Sequence, residues 1–201
     1  MSNEIFPVKT NSRCRSNSLR PYHQNALVLD LDETLISSTT IKPKDQIKHF
    51  TFKYKRKTIY VRERPGLSKF LSEVSKYFDI YFFTCSDEGY ANPIINHISP
   101  DTPLCRRFFR ESCSHMLGFQ VKDLTLLRRG LSNIILVDDM SGSGALQPQN
   151  FLWIKGWDGQ QHDNLLLNEL LPALRSILFE PNVCSEIEKL RHSHMYPGLY
   201  P

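Results

Sequence analysis

Asn25-Ala-Leu-Val-Leu-Asp30-Leu-Asp32-Glu-Thr34-Leu35 is the stretch whose reading decides the fold. Ala26 to Leu29 form a short, unbroken apolar run, as expected of a strand buried on both faces in a parallel sheet. The run stops at a carboxylate, and a second carboxylate follows two residues later. Side chains alternate along extended backbone. Asp30 and Asp32 are therefore expected to project to one side, at the carboxyl edge of the sheet where open α/β folds bind ligands.

Paired carboxylates in that place suit phosphoryl transfer. One attacks phosphorus and carries the phosphoryl group as an acyl phosphate, while the other protonates the leaving oxygen and later takes a proton from water. Charge is the obstacle. Two unit negative charges about 4 Å apart at an effective dielectric of about 20 repel by about 4 kcal/mol, and a carboxylate meeting a phosphate dianion faces about twice that. A cation has to offset the repulsion, so a Mg²⁺ site and a lysine are to be sought downstream.

The same pattern recurs along the chain. Ile80 to Phe83 is a second apolar run and ends in Thr84-Cys85-Ser86; Ile134 to Val137 is a third and ends in Asp138-Asp139. Arg107 to Phe109 and Phe151 to Ile154 read as two further short strands, which makes five. Between them, Leu67, Phe70, Leu71, Val74 and Phe78 share one helical face behind Pro65, and Tyr90 to Ile98 reads as a helix. Phe50, Phe52 and Tyr54, then Thr58 and Tyr60, flank Lys55-Arg56-Lys57 and predict a two-stranded hairpin with a basic tip. Ser37 to Gln46 reads as loop. Asp123 is placed to cap a short helix that ends before Gly130. Leu165 to Leu178 forms one helix or two that meet near Pro172, and Val183 to Arg191 a last one.

Asp30-Leu-Asp32-Glu-Thr34 resembles the D-x-D-x-T signature of the haloacid-dehalogenase superfamily, in particular its FCP/SCP-type branch of small phosphatases of the RNA polymerase II C-terminal domain. Other segments are similar to the same branch: Arg64-Pro65-Gly66, Phe83-Thr-Cys-Ser86 where the usual sequence is F-T-A-S, Tyr90-Ala-Asn-Pro93, Phe109-Arg-Glu-Ser-Cys113 and Lys122-Asp-Leu124. The resemblance spans roughly residues 23 to 180. It implies an α/β, three-layer Rossmann-like fold with a central, mainly parallel five-stranded sheet, a small β-hairpin insertion and no large cap domain. It implies catalytic roles for Asp30 and Asp32, contacts to substrate phosphate from Thr34, Thr84, Ser86, Arg110 and Lys122, and Mg²⁺ held by Asp30, Asp32, Asp138 and Asp139, chiefly Asp139 of the last pair. The implied activity is Mg²⁺-dependent hydrolysis of phosphoserine or phosphothreonine in a protein segment.

Two other functions fit the same fold: a phosphoprotein-binding scaffold with weak or no catalysis, and a capless phosphatase of small phosphorylated metabolites. All the expected acids are present, which disfavours the scaffold. The intervals from Thr34 to Thr84 and from Ser86 to Lys122 are too short for a sizeable cap. An open site favours an extended phosphorylated segment over a small molecule.

The totals agree with a single catalytic domain, read here as residues 23–180 between a polar lead-in (residues 1–22) and a closing helix and tail (residues 181–201). Net charge is +4, too mild to imply direct nucleic-acid binding. Cys14, Cys85, Cys105, Cys113 and Cys184 are scattered without C-x-x-C spacing, so neither a disulfide framework nor a zinc site is expected. With no apolar run of membrane-spanning length, a soluble nuclear or cytoplasmic protein is expected, and no oligomer is specified.

Overall fold

β1 (Asn25–Leu29) is buried along its whole length and lies at the centre of a five-stranded sheet. The computed structural model describes residues 23–44, 49–116, 118–178, 180–193 and 195–199; the polar lead-in of residues 1–22 lies outside them. In chain order β1 is followed by β2 (Ile36–Thr39), β3 (Phe50–Tyr54), β4 (Lys57–Glu63), α1 (Leu67–Val74), β5 (Phe78–Phe83) and α2 (Glu88–Ile98). Then come β6 (Arg107–Phe108), β7 (Cys113–Met116), β8 (Phe119–Lys122), β9 (Ile134–Asp138), β10 (Phe151–Trp153), α3 (Leu171–Ile177) and α4 (Val183–Ser193).

The main sheet runs β10-β9-β1-β5-β6 and its four pairings are all parallel. From β1 the chain moves to β5 and β6 on one side, then returns to β9 and β10 on the other. That reversal opens a crevice beyond the carboxyl end of β1, the usual ligand position in such sheets. Register fixes what meets there. Leu29 pairs with Phe82 and with Val137, so Asp30, Phe83 and Asp138 follow at one level.

Alternation along the buried strands divides the core in two. Leu27, Leu29, Ile80, Phe82, Ile135 and Val137 face the larger cluster, into which α1 to α4 send Phe70, Ile94, Leu174 and Ile187. Ala26, Val28, Tyr81, Phe83, Ile134 and Leu136 face a smaller one, closed by Leu124 and Leu127 of a 3₁₀ turn. Asp123 caps that turn by accepting from the Thr125 amide at 3.0 Å.

Three local expectations differ from what is found. Ser37 to Thr39, expected within a loop, form with Ile36 a strand antiparallel to β4, so the insertion is a three-stranded sheet, β2-β4-β3. Its Ser-Ser-Thr run lacks the apolar alternation that betrays a half-buried strand; only Ile36 is buried. A second hairpin, β7 with β8, was not anticipated, because its eight residues are mostly polar or part exposed. The leucine-rich stretch begins as a π-helical segment, Leu166–Leu170, and passes directly into α3, with Pro172, which has no amide to donate, just past the segment where the helical hydrogen-bond ladder is widened. The basic tip is a two-residue turn with Lys55 and Arg56 at φ of 43° and 63°.

Arg64 joins these layers. It is 1 % exposed and donates to the Thr34 carbonyl (3.0 Å), the Lys155 carbonyl (2.9 Å) and both oxygens of Asp163 (3.0 and 2.8 Å). Gly66 beside it has φ of 81°, and a Cβ there would stand 2.7 Å from Leu167. Among the described residues no separate cap body is present, and no helix is long and apolar enough to cross a membrane.

Truncating Arg64 leaves two carbonyls and a carboxylate without their partner. Arg64→Ala is expected to lower the unfolding free energy by about 3 kcal/mol or more. Urea denaturation checks this, and a loss below about 1 kcal/mol would show that Arg64 is not the tie described here.

Candidate active site

β1 and β9 end side by side, and each delivers a carboxylate to the crevice. β8, outside the main sheet, delivers the counter-ion. Lys122 is 1 % exposed, and its Nζ lies 2.5 Å from Asp30 Oδ1 and 2.5 Å from Asp138 Oδ2. Asp138 Oδ1 accepts from the Met140 amide at 2.8 Å, so both oxygens of this residue are engaged. Asp139 Oδ1 accepts from Thr34 Oγ1 at 2.9 Å, and the Thr34 hydroxyl in turn accepts from the Asp139 amide at 3.2 Å. Thr34, fully buried, thus stands behind Asp139 as its support.

Burial penalises excess negative charge in this group. It pushes the Asp30 carboxyl well above the ordinary carboxylate range, against the pull of Lys122, with Asp138 adding to the rise. For Lys122 burial acts downward, but Asp30 and Asp138 outweigh it and the ammonium is held more firmly charged. Asp139 is also pushed up by burial, and Thr34 opposes the shift.

Asp32 sits in a different setting. β1 stops at Leu29, and the chain turns back through Glu33 at φ of 61°, so strand alternation does not govern the second acid. Its Oδ2 accepts from Ser86 Oγ at 2.9 Å, and its Oδ1 accepts from the phenol of Tyr90. Burial first, and then the Asp32 charge, push the Tyr90 phenol far above its ordinary range, so Tyr90 is a donor here. Tyr90 is seated by the insertion: its ring lies 6.0 Å from that of Phe52 and 5.8 Å from that of Tyr54. Thr84, 1 % exposed, accepts from the Ser86 amide at 3.1 Å and so shapes the loop that carries Ser86.

A cleft of about 550 Å³ opens beside Asp32, lined among others by Tyr54, Lys55, Ser86, Tyr90 and Arg110. Arg110 is exposed at its rim. Its Nε donates to the Cys85 carbonyl at 2.8 Å and its Nη1 is 3.2 Å from Asp87, which also accepts from Tyr54 and from Lys55 (2.8 Å). Those bonds, Lys55 foremost, hold the Asp87 carboxyl down at about 2.

Asp30, Asp138 and Asp139 each offer an oxygen within 4.8 Å of the others, a hard donor set suited to a divalent cation. Lys122 and Thr34 each occupy one oxygen, which leaves Asp30 Oδ2 and Asp139 Oδ2 for an ion. The residues singled out from the sequence thus fall into two linked groups, Asp30, Thr34, Lys122, Asp138 and Asp139 in one, and Asp32 with Ser86 in the other. Thr84 lies behind the second and Arg110 at the rim. Tyr90 and Asp87 were missed as site residues. The signal available for Tyr90 was its place in the segment Tyr90-Ala-Asn-Pro93 that is similar to the family's.

A parallel sheet whose central strands end in carboxylates around a buried lysine defines a phosphatase of the haloacid-dehalogenase type. The chain belongs to the NLI interacting factor-like phosphatase family, whose model matches residues 25–184. It is 32 % identical over 202 residues to CTD nuclear envelope phosphatase 1 of Xenopus tropicalis, covering 95 % of this chain and 81 % of that protein. To phosphatase PSR1 of Saccharomyces cerevisiae it is 33 % identical over 156 residues, 77 % of this chain and 36 % of that one. Among solved structures, the fission yeast RNA polymerase II CTD phosphatase Fcp1 bound to beryllium fluoride aligns with a TM-score of 0.57 at 17 % identity, over 85 % of this chain and 55 % of that chain. The chain spans about half the length of the solved structures it matches.

Removing the lysine isolates two buried acids. In buffer containing a chelator, Lys122→Met is expected to be less stable than the parent by about 3 kcal/mol or more. Because the folded-state pKa of Asp30 already lies above its unfolded value, its contribution to stability is present at low pH and lost as pH rises above about 4; without Lys122 that loss deepens. Denaturant melts at rising pH check it, and an unchanged pH profile would contradict the coupling.

Proposed function

We propose that the chain is a Mg²⁺-dependent protein serine/threonine phosphatase that works through an aspartyl phosphate on Asp30. The observation that supports this most directly is the single buried ammonium of Lys122 shared by Asp30 and Asp138, with Asp139 alongside. A carboxylate so placed can meet a phosphate dianion without facing bare repulsion.

Asp30 attacks phosphorus as the bond to the serine or threonine oxygen breaks. Asp32, oriented by Ser86 and Tyr90, gives the departing oxygen its proton. Water then enters on the same side; Asp32 removes its proton and the acyl phosphate opens, which returns Asp30. Lys122 stays charged throughout and stabilises the equatorial oxygens, while Thr84 acts through the loop that carries Ser86. Asp30, the Asp32 main-chain carbonyl and Asp139 would hold Mg²⁺, with Asp138 fixing Lys122 behind them. Bound there, the ion supplies Lewis-acid charge that neutralises the phosphoryl oxygens.

The open cleft beside Asp32 accommodates a chain segment, and Lys55 and Arg110 on its rim suit an anionic one. The relatives named CTD phosphatases support a phosphorylated protein substrate, with RNA polymerase II C-terminal-domain-like phosphopeptides the first class to test. The relative named for the nuclear envelope supports work in the nucleus or cytoplasm.

Hydrolysis of an aryl phosphate and of phosphoserine peptides, with Mg²⁺ and with chelator, tests the reading. The peptides are expected to be preferred to a panel of small phosphates, and chelation to abolish turnover. Asp30→Asn is expected to lose on the order of 10⁴-fold or more in kcat with its circular dichroism unchanged. Retained Mg²⁺-dependent turnover by that variant would refute the nucleophile assignment. Tyr90→Phe removes one donor to Asp32 and is expected to lower kcat by about tenfold, equivalent to about 1.4 kcal/mol; parental kcat would show that the phenol does not orient the acid.

A further inference from the structure

Cys85 stands between Thr84 and Ser86, where the family's usual residue is alanine, so this chain has placed a thiol inside the loop that orients Asp32. A second thiol faces it. Cys113 heads β7, and its Sγ lies 3.5 Å from Cys85 Sγ, with the Thr84 carbonyl 3.8 Å away. Both residues are half-buried, so a small oxidant can reach the pair.

We propose that Cys85 and Cys113 are a redox modification site, which a hydroperoxide converts to a disulfide that reversibly disables the phosphatase.

The chemistry balances without other partners. Cys85 Sγ, as thiolate, attacks one oxygen of hydrogen peroxide; the O–O bond breaks, sulfur is oxidised to sulfenic acid, and the departing hydroxide takes up the proton Cys85 released. Cys113 Sγ then attacks Cys85 Sγ; the S–O bond breaks, and hydroxide leaves with the Cys113 proton as water. Two thiols and one peroxide give one disulfide and two waters.

The surroundings divide the roles. The hydrogen bond from Cys113 lowers the Cys85 thiol to about 7 against the effect of burial, with Lys122 and Arg110 adding positive charge nearby. Cys113, donor in that bond and also buried, is pushed the other way, which suits the resolving thiol. Cys184, by contrast, is raised by burial and donates to the Leu131 carbonyl.

Position makes the bond inhibitory. Closing the sulfurs from 3.5 Å to bonding distance draws them together by about 1.5 Å. On one side that pulls Cys85, flanked by the Ser86 hydroxyl on Asp32 and bearing the carbonyl that receives Arg110. On the other it pulls Cys113, the ladder partner of Lys122. Both the proton-transfer acid and the ammonium are displaced at once.

The test treats the full chain with hydrogen peroxide, then maps it by peptide mass spectrometry and assays aryl-phosphate hydrolysis. A Cys85–Cys113 crosslink, a fall in turnover of about tenfold or more and recovery with dithiothreitol are expected. Cys85→Ala, which restores the family residue, is expected to keep its turnover in peroxide, and Cys113→Ser to accumulate a sulfenic acid at Cys85 that dimedone traps. A crosslink that leaves turnover unchanged, or equal peroxide sensitivity in Cys85→Ala and the parent, would overturn the proposal. The crosslink and the dimedone adduct are read by mass alone, so they decide the pairing even if the aspartyl-phosphate mechanism fails.

Discussion

An ammonium group with almost no access to water holds two carboxylates that arrive on separate strands, and the edge of the sheet is built around that contact. Lys122 offers one positive charge against Asp30 and Asp138, and Asp139 lies close enough to share an ion with both acids. The local sum is negative, in surroundings where each unit pair about 4 Å apart is worth about 4 kcal/mol at an effective dielectric of about 20. Lys122 alone cannot balance the edge, and burial first, with the neighbouring acids adding to it, raises Asp30 and Asp139 towards their neutral forms. A divalent cation offsets the negative sum, and with the cation present a phosphate dianion becomes an acceptable neighbour. On the function proposed above, the excess charge that disfavours the bare edge would favour a metal-bound phosphoryl group there.

Two aspartates two residues apart acquire different chemistry because the backbone separates them. Asp30 extends the buried strand and meets a cation. Asp32 lies past the strand end and meets two neutral hydroxyls, from Ser86 and Tyr90. A carboxylate fixed by an ammonium is suited to attack, and one held by hydroxyl donors beside an open cleft is suited to exchange protons with solvent and leaving group. Tyr90 reaches Asp32 only because Phe52 and Tyr54 of the insertion hold its ring. The three-stranded sheet therefore supports the acid as well as forming a wall of the cleft, and a change in its aromatic face acts on the chemistry through Tyr90.

What the sequence made legible followed from burial. Apolar runs such as Ala26 to Leu29 and Ile134 to Val137 announce strands covered on both faces, and polar residues at their ends announce the edge, so the sheet and its acids could be read directly. Lys122 could not be read that way, since nothing local separates a buried lysine from a solvated one; it stood out only through its register with a family motif. Thr34 carried a motif position but no sign that its hydroxyl would be taken by Asp139. The β7–β8 hairpin was hidden by its polar, part-exposed residues, whereas Tyr90 and β2 were hidden for another reason. Each is fixed by contacts with residues distant in the chain, Asp32 with Tyr90 and Ile36 with Glu63, and local periodicity does not record such contacts.

The rim of the cleft shows how surface charge can serve recognition rather than stability. Lys55 and Arg110 come from the insertion and from the segment before β7, and Asp87, at the start of α2, holds both. Exposed ion pairs contribute little to folding, because water screens them and long side chains lose freedom in making them. Their effect on binding is different. Two flexible cations already fixed beside the acid need little further ordering when an anionic segment arrives, so less of the contact energy is lost to entropy. Asp87 remains ionised down to about pH 2 and competes for the same cations. A ligand with greater charge density than a carboxylate, as a phosphate dianion has, displaces Asp87 from them more readily than an acidic side chain does. On the function proposed above, the rim and the acidic edge would thus favour the same feature of a ligand, one by competition at the surface and the other through a cation held beneath it.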